Sequence, residues 1–313
     1  MGLINILSFV LIALASTATC QVSFPERDLR IYEFPYLVHQ SVEYYYLSST
    51  KFHYSGGTIV NERWILTCAH NFKVKKIDGE NYYPITVTVL AGTKHTRDKA
   101  RAQEKKVSFE NVIIHGDYPQ RDADIALIFL GEQALSFDRF VQPARLIEPG
   151  FNLMLHSKCS VFGWGVYENA YGVEVQPEAA RRGSFYVVDN INCYRYLGGF
   201  DDNYEVCVGC KGCRDCSMLS PGDSGSPVVQ QIEGKNTVVG LSKSRKQRVN
   251  SEGLAVGRDN PGSMVKISVF RVWMKRKMTQ REKRYGNERV QRNMAAAAVA
   301  SVAAVFIINR MFR

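Results

Sequence analysis

The 313-residue chain predicts an all-β protein built on antiparallel barrels, and two observations carry that expectation. Short runs rich in Val, Ile, Leu and Tyr recur with Gly, Pro, Asn and Asp between them, the punctuation of strands and turns. The runs fall into two sets, 36–42, 58–67, 85–91, 107–114 and 125–130, then 159–166, 183–188, 227–231, 238–242 and 263–270. That spacing of short strands suits closed antiparallel sheets. No internal repeat or low-complexity linker interrupts the two sets, and no nucleotide-binding or P-loop fingerprint is found.

Residues 1–20 carry no charge and run from Leu3 to Ala15 as an apolar stretch before small residues and Cys20. This reads as a secretory signal peptide, cleaved after Ala18 or Cys20, although its start lacks Lys or Arg. A short segment, 21–30, then leads to the β region, so an exported protein is expected.

Three separated segments carry the chemistry. Ser220-Pro-Gly-Asp-Ser-Gly-Ser-Pro227 exposes Ser224 between residues whose lack of bulk permits a tight turn and free backbone N–H groups. Trp64-Ile-Leu-Thr-Cys-Ala-His70 ends an apolar run in small residues and a histidine, a candidate general base. Asp122-Ala-Asp124 opens the apolar run Ile125–Leu130, where an aspartate could orient the imidazole. The chain order His70, Asp124, Ser224 is one used by Ser-His-Asp enzymes, and the G-x-S-x-G elbow of hydrolases fails because Ser226 takes its last glycine. His39, His53, His95, His115 and His156 have no such setting and read as surface or structural.

With these segments in place, the chain resembles the chymotrypsin/trypsin-like serine proteases, as a divergent member. The match runs through the histidine box, Asp124-Ile-Ala-Leu127 and Gly222-Asp-Ser-Gly-Ser-Pro227. It also takes in Ser55-Gly-Gly-Thr-Ile-Val60, Cys159–Gly165, Val239–Ser242 and Pro261–Met264 ahead of Trp273. It covers about residues 31–274 and implies two six-stranded antiparallel β-barrels, about 31–145 and 146–274, with the active site in the cleft between them and a short C-terminal helix. It implies that Ser224 is the nucleophile, His70 its base and Asp124 the group that orients His70, with Asp122 as the other aspartate to weigh. The N–H groups of Gly222 and Ser224 would form the oxyanion hole. No cofactor or metal is implied, and the partner is a protein or peptide substrate.

The sequence departs from the family at several of these places. Family members begin at an Ile-Val-Gly-Gly terminus whose ammonium pairs with the aspartate before the nucleophile, here Asp223. Arg30-Ile31 offers the cleavage point without the Val-Gly-Gly, and the four residues to Pro35 reach at most about 14 Å. A start at Gln21 would have ample reach, so activation is expected to be non-standard or absent. Substrate contacts are implied for Met218, Ser242, Lys243, Ser244 and Gly262. Lys243 stands where the family has tryptophan, which removes an apolar wall and is expected to put a cation beside the substrate. Met218 as pocket floor favours apolar side chains, while a register that brings Asp215 there would favour basic ones; the apolar floor is preferred.

Eight cysteines become seven if Cys20 leaves with the signal peptide. The resemblance implies a Cys193–Cys207 disulfide. It also shows a bridge lost beside the histidine, with Ser55 and Asn71 in its two places, and another lost between Cys159 and Gln230. The run Cys207-x2-Cys210-x2-Cys213-x2-Cys216 has metal-binding spacing, but the oxidising route favours local disulfides.

Residues 275–313 hold ten basic and two acidic residues, 10 − 2 = +8 of the formal +10. The basic character therefore belongs to the tail and does not mark a nucleic-acid surface. From Met294 to Ile308 an apolar stretch of fifteen residues spans about 22 Å, short of the roughly 30 Å of a bilayer core. Together the two parts could hold the protein at an anionic membrane surface. The sequence reading is thus a secreted serine endopeptidase with an apolar S1 preference. The alternative is a non-catalytic homologue that binds or regulates a partner.

Overall fold

The computed structural model describes residues 30–168, 173–210, 219–243 and 261–311. The expected signal peptide, Asp215, Met218, Ser244, Cys213 and Cys216 lie outside the described residues.

The first half is an eight-stranded antiparallel sheet. Its strands are β1 (Leu37–Tyr46), β2 (Ser49–Asn61), β3 (Trp64–Thr67), β4 (Lys75–Ile77), β5 (Glu80–Ala91), β6 (Gln103–Ser108), β7 (Val112–Ile114) and β8 (Ala126–Phe129). Hydrogen bonding gives the order β4-β5-β1-β2-β3-β8-β7, with β6 also paired to β5. Besides a two-stranded antiparallel pair of β10 (Tyr167–Glu168) with β11 (Glu174–Val175), the second half is a closed six-stranded barrel. It runs in the order β12 (Arg181–Val187), β13 (Glu205–Gly209), β16 (Gly262–Lys266), β15 (Lys235–Lys243), β14 (Pro227–Ile232) and β9 (Lys158–Gly163). The all-β, two-part architecture is as the sequence predicts. The first part has two strands more than the expected six, because β4 and β6 are polar edge segments that an apolar pattern does not reveal.

Alternation explains the faces. Along β1 the residues Val38, Gln40, Val42 and Tyr44 point inward, while Ser41, Glu43 and Tyr45 face out. The run 58–67 is two strands, because the chain turns back at Glu62-Arg63 and β3 lies against the end of β2. The central core strands β3 and β8 are apolar on both faces, with Trp64, Ile65, Leu66, Leu127, Ile128 and Phe129 all fully buried. One hydrophobic cluster runs through both halves, and a satellite of Leu197 and Phe200 packs around the Cys193–Cys207 disulfide beside α1 (Asn190–Tyr196).

The run 263–270 splits at Ile267. Its first half is β16, and its second half starts α2, a single helix over Ile267–Met311 rather than the short one expected. Forty-five residues make about 67 Å of helix. Good helix formers fill it, no proline interrupts it, and an Arg284–Glu288 pair one turn apart (2.8 Å) supports it.

This helix touches both halves. Phe270 stacks on Tyr204 ahead of β13, and Phe270 and Trp273 pack on His115 after β7. Further along, Tyr285 meets Phe129 edge-on, Arg281 lies 4.7 Å over the same ring, and Glu282 accepts the buried Trp64 indole N–H at 2.7 Å. Among the described residues no helix is long and apolar enough to cross a membrane. Membrane association through 275–313 gains no support.

The helix contacts differ in expected weight. Glu282→Leu leaves the Trp64 N–H buried without a partner and should cost about 1–3 kcal/mol in urea unfolding. Arg292→Ala breaks only a solvent-exposed pair with Glu132, and should change stability by less than about 0.5 kcal/mol. Equal losses from the two variants would contradict a specific dock at Trp64.

Candidate active site

Each part of the site is placed by backbone geometry. The tight 310 turn Ala69–Phe72 after β3 sets His70 at the mouth of the first half, with Ala69 fully buried behind it. Just before β8, Asp122 adopts a left-handed φ of 55° and Asp124 N–H bonds back to its carbonyl at 2.7 Å, turning the Asp124 side chain inward. Asp124 then receives two hydrogen bonds from one residue. His70 backbone N–H donates to Oδ1 at 2.8 Å, and His70 Nδ1 meets Oδ2 at 2.7 Å. Burial by itself would raise the Asp124 carboxyl, but the His70 charge and hydrogen bonds and the Lys243 ammonium hold it well below the usual carboxylate range. It stays ionised.

The serine loop comes from the second half and is hooked to the first. Gly56 N–H donates to the Ser224 carbonyl at 2.9 Å, and Gly225 N–H donates to Ser242 at 2.8 Å. Asn71, next to His70, reaches the same Ser224 carbonyl at 3.5 Å. Gly225 has φ 81°, and a Cβ there would sit 2.1 Å from Thr67 Oγ1, so the approach demands glycine. Gly222 has φ 100°, and among the described residues neither its N–H nor that of Ser224 has an acceptor. Two free donors beside a nucleophile are what an oxyanion needs. Among the described residues no hydrogen bond joins Ser224 Oγ to His70.

Of the residues expected to bind substrate, Ser242 and Lys243 lie on β15 and Gly262 faces Leu219. Lys243 does not stand beside the substrate cleft as the sequence suggested. Its side chain is 5% exposed and turned inward, 2.9 Å from Asp122, 3.5 Å from Asp124 Oδ2 and 3.0 Å from Glu205 on β13. An ammonium on a buried strand must find carboxylates, and here three surround it. Glu205 escaped notice in the sequence. A lysine closing the otherwise apolar run 238–242 was the available signal that a buried acid waits elsewhere.

Where the bridge beside the histidine is missing, a buried polar network fills the space. Gln40 donates to Ser55 (2.6 Å) and Thr67 (3.1 Å), Asn71 donates to Thr67 (3.1 Å), and His53 meets Asn71 at 3.3 Å. Gln230 likewise bonds Ser157 and the Cys159 sulfur. Of the other histidines, His39 and His53 are structural: His39 packs edge-on against Trp164, and burial lowers both His39 and His53 to about 4. Cys193 and Cys207 are bonded as expected and Cys210 is also in a disulfide, so these sulfurs do not offer thiolates. Cys68 lies within 4.8 Å of the His70 and Asp124 ligand atoms. Burial and then Asp124 push its thiol well up, the opposite of what a metal thiolate requires.

Asp223 is fully buried and accepts from Gly165 N–H (2.8 Å) and Ser220 N–H (3.1 Å). Among the described residues no cation pairs with it. Burial pushes its carboxyl up to about 6 against the pull of the two amides. Glycines make its pocket, since a Cβ at Gly165 would come 2.2 Å from its Oδ2. Ser226, three residues on, is fully buried with an Oγ that has no hydrogen-bond partner among the described residues.

Comparison with known proteins gives one consistent picture. The family sequence profile described as Trypsin matches residues 27–274. Human serine protease 41 is 28% identical over 236 residues, 72% of this chain and 69% of its own. Chymotrypsin-like elastase family member 1 is 27% identical in human and 28% in dog, in each case over 235 residues and 83% of the relative, and over 74% and 73% of this chain respectively.

Two outcomes follow for the loop. The folded-state value of Asp223 lies above its unfolded value of 3.8, so its contribution to stability is lost as pH rises from there to about 6. The loss should reach about 2–3 kcal/mol at neutral pH, read as a falling limb of unfolding free energy that is absent in Asp223→Asn. Ser226→Ala removes an unpaired buried hydroxyl and should raise stability by about 1 kcal/mol in the same assay. A loss of that size would mean that the hydroxyl has a partner in solution.

Proposed function

Since the chain belongs to the trypsin family, we infer that it is a secreted serine endopeptidase that cleaves peptide bonds through an acyl-enzyme. The observation that carries this is the pairing of His70 with an ionised, buried Asp124 beside a serine loop tied to Asn71. In this reading His70 Nε2 takes the proton of Ser224 as Oγ attacks the substrate carbonyl. Asp124 keeps Nδ1 protonated and stabilises the imidazolium that forms, and the N–H groups of Gly222 and Ser224 receive the oxyanion. His70 returns the proton to the leaving amine, and water then repeats the sequence to release the acid. Met218, which the sequence reading takes as the pocket floor, supports an apolar S1 preference. The leading residues 1–20, read as a signal peptide, support export.

One observation favours the second reading, a non-catalytic homologue that binds a partner. Asp223, the aspartate adjoining the nucleophile, has no cationic partner among the described residues.

A fluorophosphonate probe separates the two, because it reacts only with a serine activated by its base and oxyanion hole. The wild type should label and Ser224→Ala should not. His70→Ala should lower kcat/KM on peptides by about 10⁴-fold or more. A folded wild type that stays unlabelled, both before and after cutting at Arg30, leaves only the binding protein.

A further inference from the structure

We propose that Lys243 is a positioning residue for the triad, its buried ammonium drawing together Asp122, Asp124 and Glu205 and competing with His70 for Asp124 Oδ2. Four charged groups meet in a space almost closed to water. Lys243 is 5% exposed, Asp124 1% and Glu205 0%, with only Asp122 reaching solvent at 28%. The carboxylates come from both halves of the fold, Asp122 and Asp124 from the turn before β8 and Glu205 from β13. The ammonium thus ties the halves together directly behind the catalytic pair. It lies 3.5 Å from the same oxygen that meets His70 Nδ1 at 2.7 Å. The neighbouring Ser242 hydroxyl is buried and makes no hydrogen bond among the described residues, so it does not share in holding Asp124.

The electrostatic consequence follows from Coulomb's law at short range. A cation beside Asp124 reduces the negative potential that the carboxylate presents to the imidazole, and so weakens its hold on the imidazolium. Among the described residues, the charged and titratable groups around His70, Asp124 and Lys243 are Cys68, His53, Asp122 and Glu205. Lys243 is the one cation among these that touches Asp124. It therefore sets how strongly Asp124 holds the His70 ring.

The proposal rests on reading His70, Asp124 and Ser224 as a working triad, yet its test needs no turnover. His70 is followed by NMR in full-length protein labelled at histidine Cε1, with pH as the variable. The variant Lys243→Met/Glu205→Leu removes the cation with its most buried partner and leaves the part-exposed Asp122 to solvent and Asp124 to His70, so no fully buried carboxylate is stranded. Its His70 titration midpoint should rise by about half a pH unit, and Lys243→Arg should return it to within about 0.2 of wild type. Should the double variant fail to fold, Lys243→Gln/Glu205→Gln keeps a hydrogen-bonded pair in the same space and should shift the midpoint the same way.

A folded double variant that titrates as wild type would overturn the proposal and leave Lys243 as a tie between strands. In an active protein the acid limb of kcat/KM should move with the NMR midpoint. A protein inert to fluorophosphonate would sink the enzyme reading alone, because the midpoint still reports on Lys243.

Discussion

Backbone meets backbone where the two halves join, and the rest of the molecule depends on that closeness. Gly56 donates from β2 to the Ser224 carbonyl, while Gly225 donates to Ser242 on β15. Neither bond could form with side chains in the way. A Cβ on Gly56 would lie 1.9 Å from Ser226 Oγ, and one on Gly225 would strike Thr67. Glycine at these positions brings a loop from the barrel against the strand that precedes His70. The relation of His70 to Ser224 is therefore set by main-chain hydrogen bonds, which vary less than long side chains do.

Buried charge is the second organising fact. Asp124 stays ionised because His70 and Lys243 surround it, whereas Asp223 has only two amide donors and is pushed toward protonation. Two aspartates of similar burial thus meet opposite fates within one cleft, and the difference lies in whether a cation stands beside them. The lost disulfides follow the same logic in neutral form. Gln40, Ser55, Thr67 and Asn71 occupy the region of one missing bridge with hydrogen bonds to one another, which leave only Gln40 Oε1 among their side-chain atoms buried without a partner among the described residues, and Gln230 caps Cys159.

Much of this was legible in the residues. Apolar runs announced the strands, and the three short boxes around His70, Asp124 and Ser224 announced the family and a candidate site. The edge strands β4 and β6 were missed because Lys75-Lys76-Ile77 and Gln103–Ser108 carry charge where a pattern search expects apolar residues. Lys243 was misplaced for a different reason. Its partner Glu205 is 38 residues away in sequence, and no local pattern links them. The helix was underestimated because its basic middle looks like a solvated tail, and only the coordinates show Glu282 and Tyr285 docked on β3 and β8.

That docking has a bearing on the order in which the chain can be finished during synthesis. Trp64 and Glu282 are 218 residues apart, so the surface of β3 and β8 must wait for nearly the whole polypeptide before it is covered. Until then Trp64 and Phe129, packed on each other, present aromatic surface that the helix does not yet cover, an invitation to chaperones and to self-association. The first half is translated early but completed last. Its final closure is a long-range event, and long-range closures are the slow ones.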